Sequence, residues 1–139
     1  MTSAPDFRQL AAAHGIELDK DASMLRLNGG DAEYFSATAR EVSGAYWVLR
    51  APRRGDVQAQ ARVESRVLDF VRGKVPCVIP DWQVYTDKLV AYRVLPGIPA
   101  AEIDPLMGEL IWRLPQANVP ATFAESLANI LVKLHDLDV

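Results

Sequence analysis

The segment Leu95-Pro96-Gly97-Ile98-Pro99 constrains this chain more than any other. Each proline lacks the N–H that a sheet ladder or a helix interior needs, and the glycine between them favours neither, so no regular element runs through it. Residues 95–99 therefore read as a hinge or linker, with a domain over 1–94 before it and a second part over 100–139 after it.

Before the hinge the apolar period predicts a small α+β unit. Ser3 and Pro5 precede Phe7, Leu10 and Ala11, which predicts a short helix capped by Ser3 and closed at His14-Gly15. Met24, Leu25 and Leu27 lead into the turn Asn28-Gly29-Gly30-Asp31. Glu33 to Glu41 and then Trp47-Val48-Leu49 follow, the last after Ser43-Gly44, so three strands joined by two glycine turns are expected. Asp56 is placed to cap a helix running to about Arg72, with Val57, Ala61, Leu68 and Val71 at helical spacing and Glu64 on the same stripe. Trp82–Tyr85 and Leu89–Val94 read as a hairpin turning at Thr86-Asp87-Lys88. The sum is a five-stranded antiparallel sheet with a flanking helix.

Beyond the hinge, Thr122-Phe123-Ala124-Glu125 has the spacing of a capping box, and Phe123, Leu127, Ile130, Leu131 and Leu134 form one apolar helical face. That helix ends close to Val139, with little sequence left to cover its stripe, so the chain is expected to be incomplete and 100–139 to be the start of a helical lobe.

Charge and cysteine usage narrow the partners. A formal net charge of -3 gives no global positive field to gather phosphate backbones or anionic lipids, which argues against nucleic acid and membrane as partners. Cys77 is the one cysteine, so no internal disulfide and no cysteine-rich zinc site is possible. No secretory pattern and no apolar run of the ~20 residues that span a bilayer is present. A cytoplasmic setting is expected.

Three features carry candidate chemistry. Glycines in Asn28-Gly29-Gly30-Asp31 would let backbone N–H groups approach phosphate oxygens, although the same residues also suit an ordinary hairpin turn. Arg50 ends an apolar strand, where a cation can neutralise nucleotide phosphates, or can simply be solvated; Arg53 and Arg54 after it suit a charged loop equally well. Glu64 lies on an apolar stripe, where a carboxylate needs a cation, and Arg50 is the predicted partner, with water or Arg66 as the alternative.

Taken together, WVLRAPRR at 47–54, VESRVL at 63–68, VIPDW at 78–82 and AYRVLPGIP at 91–99 resemble the macrolide 2'-phosphotransferase branch of the aminoglycoside phosphotransferase-like kinases. The resemblance implies a kinase-like N-terminal lobe, a hinge and the first helices of the C-terminal lobe. It implies transfer of the terminal phosphate of a purine nucleotide, GTP preferentially and otherwise ATP, to the 2'-hydroxyl of a macrolide's desosamine sugar, which confers macrolide resistance. By similarity, backbone groups of the segment Tyr92 to Leu95, Val94 among them, would meet the purine edge, and the turn from Asn28 and Gly29 to Tyr34, with Ser36, would lie near the phosphates. Val48, Ile79 and Leu95 would enclose the base, and Arg50, held by Glu64, would take the place of the lysine most kinase-like enzymes use. Read from the residues alone, Val48 and Ile79 suit a core equally and Tyr92 suits a strand aromatic.

In the family the catalytic aspartate, its asparagine and the Mg²⁺ aspartate follow the helix that here ends in Leu134-His135-Asp136-Leu137. No His-Gly-Asp motif and no Asp-Phe-Gly-like motif occurs in the chain, and Asn118 and Asn129 are at the wrong positions to serve. No catalytic or metal-ligating residue is therefore assigned, and Mg²⁺ is expected only in a full-length enzyme. An aminoglycoside or other small-alcohol kinase fragment, or a kinase-like binding module without chemistry, are the alternative readings.

Overall fold

The computed structural model describes residues 3–28, 32–104 and 106–138. Helix α1 (Phe7–Ala12) and a short 3₁₀ turn (Ala22–Met24) come first. Strands β1 (Leu25–Leu27), β2 (Tyr34–Arg40) and β3 (Tyr46–Pro52) follow, then helix α2 (Val57–Val71) and strands β4 (Trp82–Tyr85) and β5 (Val90–Arg93). Strands β6 (Ala101–Ile103) and β7 (Leu110–Trp112) and helix α3 (Ala121–His135) complete the order. The chain divides into two compact units. The first takes the chain up to Ser65 together with Pro80–Leu95, and the second takes Arg66–Ile79 together with the chain from Pro96.

The first unit is built on a five-stranded sheet of order β1-β2-β3-β5-β4, antiparallel at every junction. Strands β3 and β4, and β2 from Ser36 onward, have alternating burial, as half-covered strands should. On one face Ala37, Ala39, Leu49, Ala51 and Ala91 are buried with Phe7, Ala11, Ile16 and Leu18, which places α1 and the chain after it over that face. Gly44, at φ +94 in the turn between β2 and β3, adopts a conformation that disfavours a side chain.

Several terminal signals were resolved differently from the sequence expectation. Helix α1 is capped by Asp6, whose carboxylate accepts from the backbone N–H groups of Arg8 and Gln9 at 2.9 and 3.2 Å, not by Ser3. Asp56 gives its carboxylate to Arg54, at 3.0 and 3.2 Å. The N–H groups of Val57, Gln58 and Ala59 instead find the carbonyls of Arg54, Gly55 and Asp56. A tight first turn has satisfied the orphan donors, leaving the side chain free for the arginine. Along α2, Val57 and Ala61 are buried while Leu68 and Val71 are half-buried.

In the second unit β6 and β7 form an antiparallel hairpin that the sequence reading did not anticipate. Strands of three residues are too short to show a period, and the cue was local: Leu110-Ile111-Trp112 after Gly108, which sits at φ +69. The expected capping box also fails to form. The Pro120 carbonyl accepts from Phe123 and Ala124 at 3.0 and 3.3 Å, so the helix begins at Ala121 and Thr122 is already inside it, with no side-chain cap. The apolar face of α3 is as expected in register; Phe123, Leu127, Leu131 and Leu134 are exposed and Ile130 is half-buried.

Candidate functional site

Register decides which candidate residues share a face of the sheet. Ser36 pairs with Arg50, Thr38 with Val48, and Val48 in turn with Tyr92, while Arg50 pairs with Val90. Directly paired residues of antiparallel strands project to the same side. Ser36, Val48, Arg50 and Tyr92 therefore stand together on the face opposite the alanine-lined core, and Tyr34, two residues before Ser36, shares it.

Arg50 is the centre of this group. Its Nη1 donates to Glu64 Oε1 at 2.8 Å, with the arginine side chain 16% and the glutamate side chain 39% exposed. The predicted pair is thus formed within the first unit, from β3 to the early part of α2. Helical spacing explains why: Val57, Ala61 and Glu64 lie on one stripe, and the buried Val57 and Ala61 bring Glu64 to the same side. Burial opposes the charge on Arg50, but the hydrogen bond and attraction from Glu64, with smaller contributions from Tyr92 and Tyr34, hold its pKa above the ordinary value. Burial likewise raises the Tyr92 phenol, partly offset by the Arg50 cation, so that hydroxyl stays protonated at neutral pH. With one partner in water and one largely out of it, the pair falls between an exposed bridge, worth about 0–1 kcal/mol, and a buried one, whose disruption costs about 3–5 kcal/mol.

The Arg50 guanidinium carbon also lies 4.0 Å from the centroid of the Tyr34 ring. Apart from the Nη1 bond to Glu64, the Arg50 guanidinium makes no hydrogen bond among the described residues. A guanidinium has five N–H donors, and leaving them unspent where little water reaches is costly. Such a group is suited to receive an anion.

The remaining candidates are placed as follows. Asn28 follows β1; its N–H donates to the Ser36 carbonyl at 2.9 Å, and its side-chain Nδ2 lies 3.2 Å from Thr38 Oγ1. Gly29 and the rest of the glycine turn, Gly30 and Asp31, lie outside the described residues. Beyond β5 the Val94 N–H is committed to the Tyr46 carbonyl at 3.0 Å, whereas the Leu95 N–H has no partner among the described residues. Ile79 is half-buried in the second unit, between α2 and β4, and is not a residue of the sheet. His135 and Asp136 are exposed at the end of α3.

Arg53 and Arg54 have structural partners. Arg53 stacks 4.0 Å from the Phe35 ring centroid and donates from Nε to the Tyr34 carbonyl at 3.1 Å, and Arg54 is bound to Asp56. The sequence reading missed the stacking role of Tyr34; its only cue was spacing, two residues from Ser36 on an alternating strand. A cleft of about 220 Å³ lined by Pro52, Gln58, Ala61, Arg62, Tyr85 and Val90 contains none of the candidate residues.

An antiparallel sheet with a strand cation paired to a carboxylate on the following helix is the arrangement of a kinase-like N-terminal lobe. Residues 26–139 match the model of the phosphotransferase enzyme family, and the chain belongs to that family. Among solved structures, it is similar to the apoenzyme of the macrolide 2'-phosphotransferase MphH from Brachybacterium faecium. The identity is 36% and the TM-score 0.84, covering 95% of this chain and 43% of that one. It is also similar to macrolide 2'-phosphotransferase type I, at 35% identity and TM-score 0.79, covering 99% of this chain and 46% of that one. The uncharacterized protein YcbJ of Bacillus subtilis (strain 168) is 35% identical over 129 residues, 93% of this chain and 42% of the relative. The chain thus spans less than half the length of each of these relatives.

Proposed function

We propose that this chain is the nucleotide-binding part of a macrolide 2'-phosphotransferase. It binds a purine nucleotide, GTP in preference to ATP, whose terminal phosphate the full-length enzyme transfers to the 2'-hydroxyl of a macrolide in the cytoplasm. The observation that carries the nucleotide half is Arg50: largely buried, held by Glu64, and with most of its donors unspent. In this reading Arg50 neutralises phosphate charge, Ser36 and the Asn28–Gly29 turn stand beside the phosphates, and Val48 lines the base. The free Leu95 N–H, and not that of Val94, donates to the purine edge, because the Val94 N–H is already used within the chain. Tyr92 and Val94 contribute side chains and carbonyls. The macrolide as acceptor, and with it resistance, rests on the similarity to the two macrolide phosphotransferases.

Among the described residues no group of three or more His, Cys, Asp or Glu side chains could hold a metal ion. In this reading Mg²⁺ and the acceptor chemistry belong to the full-length enzyme. No helix among the described residues is long and apolar enough to cross a membrane.

Isothermal titration of the chain with GTP and with ATP tests the reading. GTP is expected to bind, weakly for a kinase and more tightly than ATP, and Arg50→Ala is expected to weaken it by at least about tenfold, the loss of a charge-assisted phosphate contact worth about 1.5–3 kcal/mol. An Arg50→Ala protein with unchanged fold and unchanged GTP affinity would overturn the assignment.

A further inference from the structure

Several unspent donors on one side chain need a fixed direction to be useful, and Glu64 alone does not supply it. Its bond to Arg50 is made through a single nitrogen, Nη1, at 2.8 Å, and one contact of this kind leaves the guanidinium free to rotate about it. The second restraint is the Tyr34 ring. Tyr34 pairs with Pro52 and Ser36 with Arg50, so Tyr34 is the diagonal neighbour of Arg50 on the same face, within reach of an aromatic side chain. Its ring centroid lies 4.0 Å from the guanidinium carbon, and Tyr34 itself is 1% exposed, locked in place by its surroundings. A lysine ammonium, a compact point charge, would have no plane for such a ring to orient; a guanidinium has one.

We propose that Tyr34 is a positioning residue for phosphate recognition: its buried ring sets the plane of the Arg50 guanidinium while Glu64 holds one terminal nitrogen. The remaining N–H donors are thereby directed at a nucleotide phosphate. This inference rests on the nucleotide-binding reading above and adds to it the residue that orients the cation. It also accounts for an arginine at a position where most kinase-like enzymes have lysine: on this sheet face the cation is stacked, and only a planar cation can be stacked and still present several donors.

The test compares the unaltered chain with Tyr34→Phe, which keeps the ring, and Tyr34→Leu, which keeps apolar volume without it. Thermal unfolding first establishes that each variant is folded. The order of the Arg50 Nε–H group, read by ¹⁵N relaxation in the unliganded chain, should match the unaltered chain in Tyr34→Phe and fall in Tyr34→Leu. Ligand-observed NMR then measures GTP and guanosine. Tyr34→Leu should bind GTP about tenfold more weakly with guanosine unchanged, and Tyr34→Phe should retain GTP affinity, since a desolvated cation–ring contact is of that size. Equal weakening of guanosine and GTP would mean that the ring only supports the fold and would overturn the proposal. So would an Arg50 Nε–H as ordered in Tyr34→Leu as in the unaltered chain. Should Tyr34→Leu not fold, loss of GTP affinity or of Arg50 order in Tyr34→Phe would overturn it, and retention of both would uphold it. Failure of the unaltered chain to bind GTP, with guanosine bound or not, would instead overturn the nucleotide reading and the phosphate role that depends on it.

Discussion

Glu41 shows at residue scale how one carboxylate can organise a strand end. Its Oε2 accepts from Arg93 Nη1 at 2.8 Å, Ser43 Oγ at 2.9 Å and Trp47 Nε1 at 3.2 Å, and the Arg93 guanidinium stacks 4.0 Å from the Trp47 ring centroid. These bonds, that from Arg93 first, lower the Glu41 pKa from its ordinary 4.5, against a small opposing effect of burial. A carboxylate that binds its proton less readily folded than unfolded stabilises the fold at pH above 4.5, and that stabilisation fades as the pH falls through the lower folded value. Glu41→Gln should therefore melt below the unaltered chain at neutral pH, with the gap closing on acidification below pH 4.5. A gap that stays constant from pH 7 to pH 3 would show that Glu41 acts by shape alone. Arg50 follows the same logic with the signs of charge reversed: it is held charged by Glu64, against the opposing effect of burial.

At the scale of elements, the ends carry more information than the middles. Helix α1 has only the six residues Phe7–Ala12, too short to persist without support, yet it supplies Phe7 and Ala11 to the core. Asp6 makes it possible by satisfying two of the N–H groups that the helix leaves over. Asp6→Ala is expected to destabilise the chain by about 1 kcal/mol and Asp6→Asn by much less, as read by urea unfolding, because asparagine can cap as well as aspartate. Helix α3 makes the converse case: its start is set by the Pro120 carbonyl, and Thr122 and Glu125, correctly spaced for a capping box, stand two residues too late to form it. The helix nonetheless has Lys133 and His135 in its last turn, where cations suit the C-terminal end of the helix dipole.

At the scale of the whole molecule the issue is what 139 residues can accomplish when the macrolide phosphotransferases they resemble are more than twice as long. Phosphoryl transfer needs positioned Mg²⁺ and an aspartate beside the attacking hydroxyl, which together supply charge neutralisation and orientation. In the proposed function Arg50, held by Glu64, supplies charge neutralisation alone. Assayed alone with GTP, Mg²⁺ and a 14-membered macrolide, the chain is expected to form no phosphorylated antibiotic by mass spectrometry. Turnover that survives repurification and disappears in Arg50→Ala would mean that the catalytic groups lie within this chain, with Asp104, Asp136 and Asp138 the first to test.

How much of this was legible beforehand depended on the range of the interaction concerned. Strands β2, β3 and β4 follow from short runs rich in apolar and aromatic residues bounded by turn residues, because these signals are local and steric. The Arg50–Glu64 pair was also readable, since a carboxylate on an apolar helical stripe must find a cation and Arg50 stands on the preceding strand. The hairpin β6–β7 was not, because three-residue strands gain their pairing from each other and leave no period. Nor was the stacking of Tyr34 on Arg50, which depends on the β2–β3 register placing the ring diagonally across from the guanidinium. The sequence by itself determined which residues could carry charge, turn or pack; only the tertiary structure decided which of them meet, because register and helix placement are settled by the packing of the whole sheet.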